Sequence, residues 1–400
     1  MAAALLAACG AAAPAARQAT PSGQVATATA TPAIPSSAAP GPIASPGYSV
    51  TPVPSAPKPI PFSCSSSIPT GANLALVTLT GSADLVVRDI TDIARPVTRC
   101  SFRTCLQYCE SFGPNAMRFL DRSHVSYIVN DGNGGYAIYI ADLETRTSIL
   151  VIWLKPEGSI SAYAWRPGTS AVLYVKPSDT GMVLHESIAG RDRVVATMPP
   201  LPAVGCEQQC VGQDTWDFSL LYSPDGSLLS LTDSIVRPVF RVWTGDGELV
   251  DQNDTQTRSM SVWSGNSLYF NGGGGVVVWR NRTITPFLPG TVWIRPNASP
   301  DGTQIVFGAR DSSGWIHSVI AETSTGKTFE LKKGRSEPVY LSSRYVWYQG
   351  ERACVTADHC VAFPTVPSGT TYIYDLLNQT EAASAIAAVA DVWPHQGAVS

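Results

Sequence analysis

The chain has 400 residues and a mass of 42.4 kDa, room for two or three average domains or one large all-β domain. Charged residues make up only 14% while Gly and Pro number 33 and 31, which excludes long charged helices and coiled coils and favours a turn-rich β protein. A net charge of −4 supplies no positive field for nucleic acid or anionic lipid, so neither is an expected partner.

Residues 1–63 hold 12 of the prolines, two cations (Arg17, Lys58) and no acidic residue, among runs of Ala, Thr and Ser. Such a stretch cannot bury a core and is expected to be a disordered tether. In polyproline II, residues 10 to 62 would reach about 160 Å at roughly 3.1 Å per residue. Its far end reads Met1-Ala-Ala-Ala-Leu-Leu-Ala-Ala-Cys9-Gly10. This resembles a bacterial lipoprotein signal, whose lipobox of Leu, small, small, Cys is matched by Leu6-Ala7-Ala8-Cys9. The resemblance implies acylation of Cys9 and lipid anchoring to the outer face of the cytoplasmic membrane or to the cell envelope. The cationic n-region and most of the apolar h-region are not in this sequence; an Ala-rich end with an incidental Cys is the plain alternative. The expected division is 1–9 signal and lipobox, 10–63 linker, and 64–400 a single β domain. No other apolar run nears the 18 or so residues that span a bilayer.

Setting Cys9 aside leaves eight cysteines: Cys64, Cys100, Cys105, Cys109, Cys206, Cys210, Cys354 and Cys360. An even number clustered in loops suits disulfides in an oxidising compartment. Cys206 with Cys210 and Cys354 with Cys360 are close enough to pair locally. The other four then pair among themselves, with Cys105–Cys109 and Cys64–Cys100 as the expected arrangement. Zinc is the rival reading, but no CxxC pair occurs and the spacings do not repeat as a knuckle.

From residue 72 onward short β-branched and aromatic runs alternate with Gly, Pro, Asn and Asp. Strands are expected at 74–80, 83–90, 125–129, 171–175, 268–270 and 345–348, with an extended 95–99. Leu221-Tyr-Ser-Pro-Asp-Gly and Asn297-Ala-Ser-Pro-Asp-Gly share one turn, and weaker copies give pre-turn residues at 119, 165, 222, 263, 298 and 341. Their spacing of about 40 residues is blade-sized. Pro presets φ, Asp bonds nearby backbone and Gly takes positive φ, so each copy reverses the chain between antiparallel strands. Acidic turns, as in Tyr136-Ala-Ile-Tyr-Ile-Ala-Asp142 and Thr371-Tyr-Ile-Tyr-Asp375, end third strands. With its aromatic-Ser-Pro-Asp-Gly pattern the chain resembles the TolB-like family of bacterial propeller repeats, over nearly all of 72–397. The resemblance implies an all-β propeller and protein partners. The segment 72–99 lacks an innermost strand, which 388–397 would supply; a seventh blade built from both ends favours seven blades over six or eight.

In such a fold, first-to-second-strand turns share one face, and second-to-third and interblade loops share the other. The cysteine clusters are expected on that other face, Cys100 to Cys109 and Cys206 to Cys210 in interblade insertions and Cys354 with Cys360 in a second-to-third loop. Preorganised loops concentrate binding residues, so the candidate surface is Arg103, Gln107, Tyr108, Glu207, Gln208, Trp216, Glu351, Arg352, Asp358 and His359. No Gly-x-Ser-x-Gly, phosphate loop or cofactor motif is present, and Gly272 to Gly275 is followed by neither Lys nor helix. Asn130-Asp-Gly-Asn-Gly-Gly135 lacks the distal Glu of a calcium loop and reads as a hairpin turn, so no metal is expected. The five His (124, 185, 317, 359, 395) are dispersed. Together these features point to an envelope-anchored binding or scaffold protein. The alternative is an envelope glycan or peptide hydrolase with carboxylates converging in the propeller funnel.

Overall fold

The computed structural model describes residues 57–79, 84–103, 117–130, 136–154, 162–178, 181–188, 190–198, 218–233, 239–253, 259–355 and 365–395. Among the described residues there are 29 strands and no helix long and apolar enough to cross a membrane. The strands form seven antiparallel sheets, six of four strands and one of five. This is a seven-bladed propeller.

Each blade starts at the axis. The innermost strands are β5 (Arg118–Phe119), β9 (Ala162–Trp165), β13 (Phe218–Tyr222), β17 (Ser259–Ser264), β21 (Trp293–Ala298) and β25 (Arg335–Tyr340) for blades 1 to 6, and β29 (Ile386–Trp393) for blade 7. Five of the expected pre-turn residues fall at equivalent places on these strands; the sixth is Tyr340 rather than 341, because Tyr340 is the residue that pairs across to Val346.

Blade 7 is closed by both ends of the chain. Strands β1 (Phe62–Cys64), β2 (Leu74–Leu79), β3 (Leu85–Asp89) and β4 (Val97–Phe102) lie in the order β1-β4-β3-β2-β29. Leu74 pairs with Trp393 and Leu79 with Ile386, as expected of a C-terminal strand that completes the sheet. The fifth strand was not expected. Phe62 and Ser63 lie within the stretch whose composition reads as linker, yet they pair with Phe102 and Ser101. Phe62 stacks on Phe102 at 4.9 Å, and Cys64 is bonded to the opposing Cys100.

Alternating apolar residues pack the blades face to face. Seven apolar clusters result, one for each seam between neighbouring blades. Their largest fully buried side chains include Trp279, Trp293, Trp347, Tyr127 and Phe307. Each such burial is worth on the order of 2 kcal/mol or more, and seven seams spread that stabilisation around the ring.

The Ser-Pro-Asp-Gly turns are closed polar networks. In the first, Ser223 Oγ donates to Asp225 Oδ1 at 2.7 Å and accepts from Leu228 N–H at 2.9 Å, while Asp225 Oδ1 also accepts from Ser227 N–H at 3.0 Å. Ser299, Asp301, Thr303 and Gln304 repeat this arrangement in the second. Gly226 and Gly302 supply φ of 69° and 71° at the position where the chain turns back.

Candidate functional site

Two surfaces qualify: the face of interblade and second-to-third loops, and the channel enclosed by the innermost strands. On the loop face, Gln107, Tyr108, Glu207, Gln208, Trp216, Asp358 and His359 lie outside the described residues, as do Cys9, Cys105, Cys109, Cys206, Cys210 and Cys360 and the turn 131–135. Arg103 is exposed just after β4, and its N–H donates to Pro61 O at 2.9 Å. Glu351 and Arg352 sit near the end of β26 (Tyr345–Ala353), which feeds the loop ahead of β27 (Thr365–Asp375). Arg352 is exposed. Glu351 is half-buried and engaged within the fold, accepting from Thr365 Oγ1 at 2.8 Å and, in blade 5, from Ile316 N–H at 3.4 Å. Cys354 begins that loop and is disulfide-bonded. Cys100 is not in an interblade insertion: it lies inside strand β4, opposite Cys64, because β1 extends the sheet there and makes a loop position a paired one.

The channel is built by a feature that sequence periodicity does not show. In blades 4, 5 and 6 the innermost strand carries the same β-bulge, two residues facing one on the second strand. The pairs are Met260-Ser261, Arg295-Pro296 and Glu337-Pro338, and the first of each is left-handed, with φ of 54°, 47° and 53°. None of the three first residues is β-branched, which keeps the steric cost of that backbone tolerable. The freed carbonyl of Met260 accepts from Trp293 Nε1 of the next blade at 2.9 Å. Arg295 and Glu337 form an ion pair at 2.6 Å between blades 5 and 6, with side chains 60% and 33% exposed. Mid-strand residues of an innermost strand have only the channel to be exposed to, so this pair stands in the channel wall.

On the opposite arc, blades 7, 1 and 2 contribute Asp391, Arg118 and Tyr163. Asp391 Oδ2 accepts the backbone N–H of Phe119 at 2.7 Å and pairs with His395 Nε2 at 2.9 Å, stitching blade 7 to blade 1. Asn297 makes the equivalent stitch from blade 5 to Tyr340 N–H of blade 6 at 2.9 Å. Burial pushes the Tyr163 hydroxyl up to about 12; Arg118 draws it down and Asp391 drives it up. The funnel carboxylates Glu337 and Asp391 are thus each committed to a cation or a backbone donor. Among the described residues, no cluster of three His, Cys, Asp or Glu side chains could hold a metal ion.

Sequence reasoning missed Arg118, Arg295, Glu337 and Asp391. Only the Pro after Arg295 and after Glu337 hinted at irregular inner strands, and the topology alone brings positions 118 and 391 together.

No protein-family model matches the chain, and no curated protein matches it. Among solved structures it is similar to a prolyl endopeptidase (10% identity over 78% of this chain and 50% of that one, TM-score 0.51). It also aligns with oligogalacturonate lyase from Vibrio parahaemolyticus (11%, 78% and 84%, TM-score 0.47) and with TolB from Acinetobacter baumannii (15%, 65% and 63%, TM-score 0.40). The chain thus spans less than two thirds of the TolB structure and half of the prolyl endopeptidase. At such identities the likeness is one of fold, and it is the likeness of a β-propeller.

Proposed function

We propose that this chain is an extracytoplasmic binding or scaffold protein, held to the membrane by acylated Cys9 through its Pro-rich linker, and presenting the loop face to a protein partner at the cell envelope. The observation that carries the reading is the placement of disulfide bonds. One stands where the chain joins the propeller, Cys64–Cys100, and another involves Cys354 at the base of the 354–364 loop. Bonds of this kind persist in oxidising compartments, and they stiffen the places where a tether and a long loop leave a rigid sheet. Exposed Arg103 and Arg352 lie on the same face as that loop and offer guanidinium forks to an acidic partner surface.

Two measurements test this. Palmitate labelling in cells is expected for the natural chain and to vanish with Cys9→Ala, along with membrane fractionation; a soluble, unlabelled natural chain refutes the anchor. A photo-crosslinker at Arg103 or Arg352 is expected to capture a discrete protein, and one at Ser227, on the turn face, to capture none. Equal capture from both faces, or none from either, refutes the assignment of the working face.

A further inference from the structure

The seam between blades 1 and 2, where it opens on the channel, is rich in donors and poor in acceptors. Met117 and Phe119 are buried in the cluster shared with blade 7, at 4% and 2% exposure. Strand alternation therefore sends Arg118 to the other side, toward blade 2. There Tyr163 and Trp165 of β9 pack with Leu120 at the edge of the apolar cluster formed by Ile128, Ile138, Ile140, Val151 and Val172. Arg118 is half-buried beside this apolar wall and has no ion-pair or hydrogen-bond partner for its guanidinium among the described residues. Asp391, which like Arg118 acts electrostatically on Tyr163, is already engaged by His395 and by Phe119 N–H. Taking a cation partly out of water without a counter-charge is costly.

In blade 4 the equivalent indole, Trp263 Nε1, donates to Leu221 O at 3.2 Å and Ser230 Oγ at 3.0 Å of the preceding blade. The corresponding acceptors for Trp165 are Arg118 O and Ser126 Oγ. Those two bond each other at 3.4 Å, as Ser230 Oγ and Leu221 O do at 3.3 Å, but among the described residues the buried Trp165 Nε1 has no partner. Two donors, one charged, therefore go unanswered in one seam.

We propose that the channel side of the blade 1–blade 2 seam is a binding site for a small carboxylate ligand, anchored by the Arg118 guanidinium with Tyr163 and Trp165 flanking it. A planar carboxylate matches the two-pronged guanidinium and supplies the missing acceptors. The single guanidinium charge matches a singly charged carboxylate better than a doubly charged phosphate. The proposal stands apart from the loop face and from any protein partner there.

The test is fluorine NMR on the full-length chain with 4-fluorobenzoate, 4-fluorobenzamide and 4-fluorophenyl phosphate as probes. Line broadening by the chain is expected for the benzoate and not for the isosteric, neutral benzamide. Arg118→Gln is expected to weaken benzoate binding about tenfold or more without lowering the melting temperature, since Arg118 has no partner to lose and an unpaired half-buried charge is removed. Arg118→Lys, which keeps the charge without the fork, is expected to fall between. In nitrogen-labelled protein the Trp165 indole N–H signal is expected to move on adding benzoate. Benzoate binding that Arg118→Gln leaves intact, absence of benzoate binding to the natural chain, or tighter binding of the phosphate each overturns the proposal.

Discussion

Arg335 shows how one side chain can hold a blade together. It donates to both carboxylate oxygens of Glu381, at 3.0 and 2.7 Å, and lies 3.9 Å over the ring of Tyr372. Tyr348 and Lys332 also bond Glu381. Burial raises the Glu381 carboxyl, but these donors, Arg335 foremost, outweigh it and take it down to about 2. The folded chain thus binds this proton less readily than the unfolded one. Its stabilising share is complete above about pH 4.5, the ordinary value, and is lost as the pH falls toward about 2. Denaturant titrations across that window are expected to show the natural chain losing stability more steeply than Glu381→Gln. Arg335→Met, which leaves the carboxylate only Tyr348 and Lys332, is expected to cost about 3 kcal/mol at neutral pH. This cluster was not legible in the sequence. Arg335 and Glu381 are 46 positions apart on the first and last strands of one blade, and no local pattern joins them.

At the scale of elements, the turns were the most legible part. The Ser-Pro-Asp-Gly copies carry their geometry in four residues, because each side-chain acceptor in them meets a donor within five positions. Ser299 is only 2% exposed, and Ser299→Ala removes the donor to Asp301 and the acceptor for Gln304 N–H, so a loss of roughly 2 kcal/mol is expected from the denaturation midpoint. Loss of less than a few tenths would show the turn to be held by its glycine alone. The inner-strand bulges were illegible for the opposite reason. A left-handed Arg295 or Glu337 is imposed by the register of neighbouring strands, and the residues themselves favour no such backbone. Strand β1 was hidden because three residues beside a Pro-rich run carry too little alternation to mark a strand; its partner strand, 40 residues away, is what makes it one.

For the whole molecule, seven blades follow from counting turn signals, and closure follows from the innermost strand missing at one end and present at the other. The channel constellation does not follow, because Arg118, Tyr163 and Asp391 meet only when blades 7, 1 and 2 are brought around the axis. The seam of blades 7 and 1 also carries the final stretch of chain before the propeller: Tyr139 bonds Pro57 O, and Ile60 and Phe62 pack against the shared cluster. Replacing Cys64 and Cys100 by Ser reopens a loop of 36 residues, and a loss of about 3 kcal/mol is expected from thermal unfolding, with the first proteolytic cuts moving into residues 57–64. That disulfide has a mechanical consequence. Once the contacts of Pro57 and Ile60 give way, a pull on the chain ahead of Pro57 reaches β1, and without the bond it would peel three residues from β4 one hydrogen-bonded pair at a time. With the bond the load passes through sulfur into β4, which β3 separates from the β2–β29 pairing that locks the ring. The hydrogen bonds that close the circle are therefore not the ones that a pull on the chain ahead of Pro57 would strain first.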